Sequence, residues 1–76
     1  MVVPFPTAAI DLLNQDKGDA EALAAQGDID AGYRVLMVGL ERTNEPRYAE
    51  EPWVETLRRH YYDAMADYAT RHNLLL

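Results

Sequence analysis

Hydrophobic positions along the chain fall into three stretches divided by glycine and proline. The first follows an extended start in which Pro4 and Pro6 bracket Phe5, an expected anchor onto the core. Ala8, Ala9, Ile10, Leu12 and Leu13 then read as a helix opened by Pro6 or Thr7. The polar run NQDKGD, residues 14–19, interrupts it, and Gly18 followed by Asp19 has the form of a helix stop and a new N-cap. AEALAAQ continues in strongly helical residues as far as Gly27. The alternative is one helix over 7–26 that tolerates Gly18 at a cost of about 1 kcal/mol.

The second stretch, GDIDAGYRVLMVGLER, is ambiguous because its centre is continuously apolar and would suit a buried strand. A half-buried strand should alternate apolar and polar residues, and this one does not. No other segment is rich enough in β-branched residues to pair with it. A helix places Ile29, Tyr33, Leu36, Met37 and Leu40 on one face, with Val35 and Val38 widening it. Gly27 suits the left-handed position after a helix, and Asp28 suits the next N-cap, with Asp30 adding charge in the first turn. The expected helix spans 28–43, ends at Asn44-Glu45-Pro46, and is apolar enough to sit in the middle of a bundle.

The third stretch begins at Glu50-Glu51-Pro52, with proline at a favoured first helical position. Val54, Leu57, Tyr61, Ala64 and Tyr68 follow the 3-4-3-4 spacing of one helical face, flanked by Trp53 and Met65. Arg71 and His72 complement the negative end, and Asn73 is a candidate cap. The expected helix covers 52–72. Leu74, Leu75 and Leu76 should fold back onto the core or dock into a neighbouring chain. The pattern predicts a single all-α domain over 1–76. It is a small three-helix bundle, or a helical hairpin plus helix, with four helices if the first breaks near Gly18.

Composition changes this picture in one respect. A chain of 76 residues buries only roughly 60% of its unfolded surface. It has no cysteine, so no disulfide can stabilise it. Its stability must come from well-formed helix packing or from association, which makes a homo-oligomer or a protein partner an expectation. With 49% apolar and 26% charged residues the chain is globular. The net charge of −6 argues against direct binding to nucleic acid or an anionic membrane. No apolar run approaches the roughly 20 residues that span a bilayer. The N-terminus lacks the basic region of a signal peptide, so the expected location is cytoplasmic. The acids concentrate early, with Asp11, Asp16, Asp19, Glu21, Asp28 and Asp30 opposed by Lys17 alone over 1–33.

Gly32 and Gly39 lie seven residues apart, nearly two full turns, so a helix puts them on one face with Leu36 between them. Missing side chains there let another backbone approach closely. Residues 16–46 thereby resemble one helical hairpin of the tetratricopeptide repeat family. AQGDIDAGYRVLMVGLER is similar to the end of that family's first helix, its turn and its second helix. The family's small positions fall on Ala20, Gly32 and Gly39, its large apolar position on Leu36, and its closing proline on Pro46. The family's first-helix Trp and Leu would fall on Asp16 and Asp19, and no second copy of the unit is visible. The resemblance implies a binding module rather than an enzyme.

Candidate chemistry is sparse. Ser is absent as well as Cys, which removes both common nucleophiles. His60 and His72 are twelve positions apart, too far to share a metal on one helix turn. His60 with Asp63 or Asp67 is a commonplace pairing that points to no metal or cofactor. NQDKGD has the acid spacing of a calcium loop, but the sixth and twelfth positions are Asp19 and Ala25 instead of Gly and Glu. Glu50-Glu51 and Asp28-Asp30 sit at helix starts, where capping accounts for them. RRHYY, residues 58–62, mixes basic and aromatic side chains, with Arg59 placed to pair with Glu55 or Asp63. Arg and Tyr are enriched at interface hot spots. Arg58, Arg59 and Tyr62, with Leu74, Leu75 and Leu76, are therefore the expected partner-binding residues. The functional expectation is a small acidic, non-enzymatic interaction or regulatory module completed by self-association. Its rivals are an acidic inhibitor that blocks a basic protein surface, and an enzyme or metal-binding protein assembled in an oligomer.

Overall fold

The computed structural model describes residues 6–74. They form three α-helices, α1 (Thr7–Ala25), α2 (Ile29–Arg42) and α3 (Val54–Arg71), with a short 3-10 helix, Pro46–Tyr48, between the last two. No strand occurs among the described residues. The fold is an all-α three-helix bundle. Among the described residues no helix is long and apolar enough to cross a membrane.

α1 runs unbroken through Gly18, so of the two readings of this stretch the single helix is the one the structure has. A Cβ at Gly18 would meet nothing within 4 Å, so the position is open surface where glycine costs only helix propensity. Continuity is favoured by one buried stripe made by Ala9, Leu13, Asp16 and Ala20. The helix stops where Gly27 turns to φ +90°. The Asp28 N–H then reaches the Leu23 carbonyl at 3.0 Å, and the Gly27 N–H reaches that of Ala24 at 2.9 Å, the two bonds of a Schellman motif. Asp28 immediately caps α2, accepting from the Ala31 N–H at 3.3 Å.

α2 lies against both other helices. Its buried residues are Gly32, Leu36 and Gly39. The expected apolar face is therefore corrected: Leu36 is buried and Ile29, Tyr33, Val35 and Leu40 are half-buried, but Met37 and Val38 are exposed, Val38 by 50%. Two glycines draw α1 and α3 onto the narrow stripe that contains them, which turns positions 37 and 38 outward.

α3 starts at Val54, two residues later than Pro52. Pro52 and Trp53 instead belong to a turn in which the Val54 N–H reaches the Glu51 carbonyl at 3.2 Å. α3 buries Val54, Leu57, Tyr61, Met65, Tyr68 and Ala69. It ends in a second Schellman motif: Asn73 takes φ 54°, and the Leu74 N–H reaches the Ala69 carbonyl at 2.9 Å.

The core is divided in two. Ala9, Leu13, Leu57 and Tyr61 form one cluster, with Trp53 packed against it. Ala20, Leu36, Met65 and Tyr68 form the other, and half-buried Leu40 touches both. The molecule measures 42 × 22 × 22 Å with a radius of gyration of 13.0 Å. A compact chain of this length would have about 11 Å, so the core is long and thin.

Candidate functional site

The two glycines of α2 open space for polar groups from the neighbouring helices. A Cβ on Gly32 would stand 2.6 Å from the Ala20 carbonyl oxygen and 2.9 Å from Tyr68 Cζ. One on Gly39 would stand 2.5 Å from Asp16 Oδ2 and 2.8 Å from Tyr61 Cζ. Above Gly32, the Tyr68 hydroxyl donates to the Ile29 carbonyl at 2.8 Å. Above Gly39, the Tyr61 hydroxyl donates to Asp16 Oδ2 at 2.6 Å. Leu36 fills the interval between them.

Asp16 is 5% exposed and Tyr61 fully buried, so this is a charged group inside the bundle. Arg42 approaches its other oxygen at 4.0 Å. Burial first, and the hydrogen bond to Asp16 second, raise the Tyr61 pKa far above that of an ordinary phenol. With its ring closed off from solvent, the phenol is positioned to brace the bundle, since an acid–base group must reach the proton it transfers. Sequence reading missed Asp16, which it grouped with the acidic field. The available signal was its register: position 16 lies three after Leu13 and four before Ala20, inside α1's buried stripe.

The expected partner residues are not all alike. Arg58 is turned inward. Its Nε donates to Thr43 Oγ1 at 3.1 Å and a terminal nitrogen to the Thr43 carbonyl at 3.2 Å, while the other terminal nitrogen pairs with Glu55 at 2.9 Å. Thr43 is buried and itself donates to the Leu40 carbonyl at 2.6 Å. Arg58 thus serves the carbonyl end of α2, where a cation is favourable. Arg59 and Tyr62 face outward, Tyr62 at 60% exposure, and Glu55 is paired with Arg58 rather than with Arg59. Leu74 is half-buried and closes the α3 end. Leu75, Leu76 and the expected anchor Phe5 lie outside the described residues.

The far end of α3 is tied to α1 by ions. Arg71 bonds Glu21 and, at 2.7 Å, Asp67; His72 Nε2 stands 3.2 Å from Glu21. The Arg71 hydrogen bond lowers the Glu21 pKa, and the same contact raises that of Arg71. Tyr68 lies under the His72 ring, with centroids 4.5 Å apart, and burial raises its pKa. A cleft of about 350 Å³ beside this network is lined by Lys17, Leu36, Ala64 and Tyr68 among others. Among the described residues no group of three or more His, Asp or Glu could hold a metal ion.

The outer side of the α1–α2 hairpin carries a different kind of surface. An open groove of about 440 Å³ is lined by Asp16, Asp19 and Leu23 from α1 and by Ala31, Arg34, Val35, Val38 and Arg42 from α2. Its apolar strip is Leu23, Ala31, Val35 and Val38. Acids line the α1 side and arginines the α2 side. Beside it, Met37 is 37% exposed. Such a strip offers area to a partner and no reacting group. Compared with known protein families, curated proteins and solved structures, the chain matches none.

Proposed function

We propose that this protein is a small, acidic, non-enzymatic interaction module that binds protein through the outer face of its α1–α2 hairpin. The observation that carries the reading is Val38, half-exposed near the middle of α2, where it lines a groove together with Leu23, Ala31 and Val35. A thin core in a chain without disulfides supports it, because association adds the buried area that the fold lacks. The resemblance to a tetratricopeptide hairpin fits the same reading, as do a cytoplasmic setting and a regulatory role. Arg59 and Tyr62 make a smaller second patch on α3.

The rival reading as an acidic inhibitor has less support. Of the six early acids, Asp16 is buried, Glu21 is held by Arg71, and Asp28 caps α2. The test compares the wild type with Val38→Asp, checked for equal melting temperature. Both are measured for mass in solution and for proteins that co-purify from the native cell. The reading expects an assembly or complex that Val38→Asp removes. A wild-type chain that is monomeric and brings down nothing sensitive to Val38 overturns it.

A further inference from the structure

Resting on that reading of the hairpin face, we infer that its occupant is a second copy of the same chain, docked groove to groove about a twofold axis that runs along the groove. The argument is one of charge and symmetry. A twofold interface uses the same patch on both subunits, so the patch must complement itself. This groove divides lengthwise, with Asp16 and Asp19 on the α1 side and Arg34 and Arg42 on the α2 side. Arg42 already faces Asp16 within the chain. Asp19 and Arg34 are exposed and form no ion pair among the described residues.

Two twofold axes can press this groove against itself. An axis across the groove sets α1 against α1 and opposes acid with acid. An axis along the groove sets α1 of each copy against α2 of the other, so acids meet arginines, and it leaves heights along the groove unchanged. The register of the hairpin then decides which residues meet. Gly32 packs on Ala20 and Gly39 on Asp16, so position 19 lies about level with position 34. Asp19 of each copy faces Arg34 of the other, twice by symmetry, across a centre of Leu23, Val35 and Val38. Asp30 and Glu41 lie outside the groove lining and do not oppose these pairs.

The test is sedimentation equilibrium of the full chain. Wild type is expected to dimerise. Asp19→Arg alone and Arg34→Glu alone each place like charges together twice, and each raises the dissociation constant about tenfold or more. An equimolar mixture of the two single variants recovers the dimer, because both contacts are then complementary. The chain carrying both substitutions also dimerises, which shows that the exchanged residues still fold. A monomeric wild type overturns the dimer; if Val38→Asp still abolishes binding to a different protein, the interaction reading survives it. Dimers that ignore the single substitutions, or variants that the mixture does not rescue, overturn this arrangement.

Discussion

Tyr61 and Asp16 meet at 2.6 Å, hydroxyl to carboxylate, across the space that Gly39 leaves empty on the helix between them. Forty-five positions separate the two in sequence, so the contact ties α1 to α3 over the backbone of α2. A charged acceptor buried this deeply is costly without its donor. Tyr61→Phe should therefore destabilise the chain by about 1–3 kcal/mol. Tyr68→Phe, which removes a donor from a neutral backbone carbonyl, should cost about 1 kcal/mol. Urea unfolding of the two variants checks the order; equal losses would mean that the Asp16 contact has no special weight.

Gly39 and Gly18 should respond differently to alanine. Alanine gains about 1 kcal/mol of helix propensity over glycine at either site. At Gly18 nothing opposes the methyl group, so Gly18→Ala should stabilise by about 0.5–1 kcal/mol. At Gly39 the methyl group overlaps the Tyr61 ring and the Asp16 carboxylate, both held by their mutual bond. Overpacking of that kind costs about 1–3 kcal/mol, which leaves Gly39→Ala neutral to about 2 kcal/mol less stable. Thermal melts of the pair decide it, and a stabilised Gly39→Ala would contradict the packing.

Arg58 and Arg59 are neighbours with different expected effects. Arg58→Ala strips the end of α2 of two charge-assisted bonds at a partly buried site, and should cost about 1–2 kcal/mol. Arg58→Lys should recover only part of that, since one ammonium cannot reproduce the guanidinium's fork. Arg59→Ala should stay within about 0.5 kcal/mol of wild type. Denaturant midpoints for the three variants make the comparison.

Stability should fall at both ends of the pH scale. The Glu21 carboxyl is held below its ordinary value of 4.5, chiefly by Arg71. Its contribution is present above 4.5 and is lost as pH drops through the lower folded value. Because Glu21 and Arg71 are both substantially exposed, the loss is small, under about 1 kcal/mol, and Glu21→Gln should remove it. At the alkaline end Tyr61 and Tyr68 are raised above the ordinary 10.0. The stability they lend is complete below 10.0 and is lost as pH rises through the folded values. Phenolate absorbance should show two of the five tyrosines ionising late, together with unfolding; five that titrate alike would contradict the burial.

Much of this fold is legible in the sequence because its signals are local. Gly27 and Asp28 mark the α1–α2 junction by conformational preference and capping chemistry, and the α3 stripe by simple period. The excess apolarity of α2 was harder to apportion. Period alone puts Met37 beside Leu36, and only the pull of two glycines on the flanking helices decides that Met37 and Val38 face out. Arg58 and Asp16 were misjudged for a related reason. Each is a charged residue with a partner distant in sequence, Tyr61 for Asp16 and Thr43 for Arg58, so its role does not follow from its sequence neighbours, although the register of Asp16 does place it in the buried stripe of α1. The groove combines residues from two helices and had no linear signature.

The buried carboxylate has a consequence for the alignment of the hairpin. Small residues make helix surfaces smooth, and smooth helices can slide by a turn at little loss of apolar contact. Moving α1 one turn along α2 would carry Asp16 away from the gap at Gly39 and set its charge against Leu36 without the Tyr61 hydroxyl. That misalignment is penalised by an uncompensated buried ion, several kcal/mol in a dry interior. Asp16 therefore acts as a key: it adds little to the depth of the folded state, and it selects one register out of several that the apolar surfaces alone would tolerate.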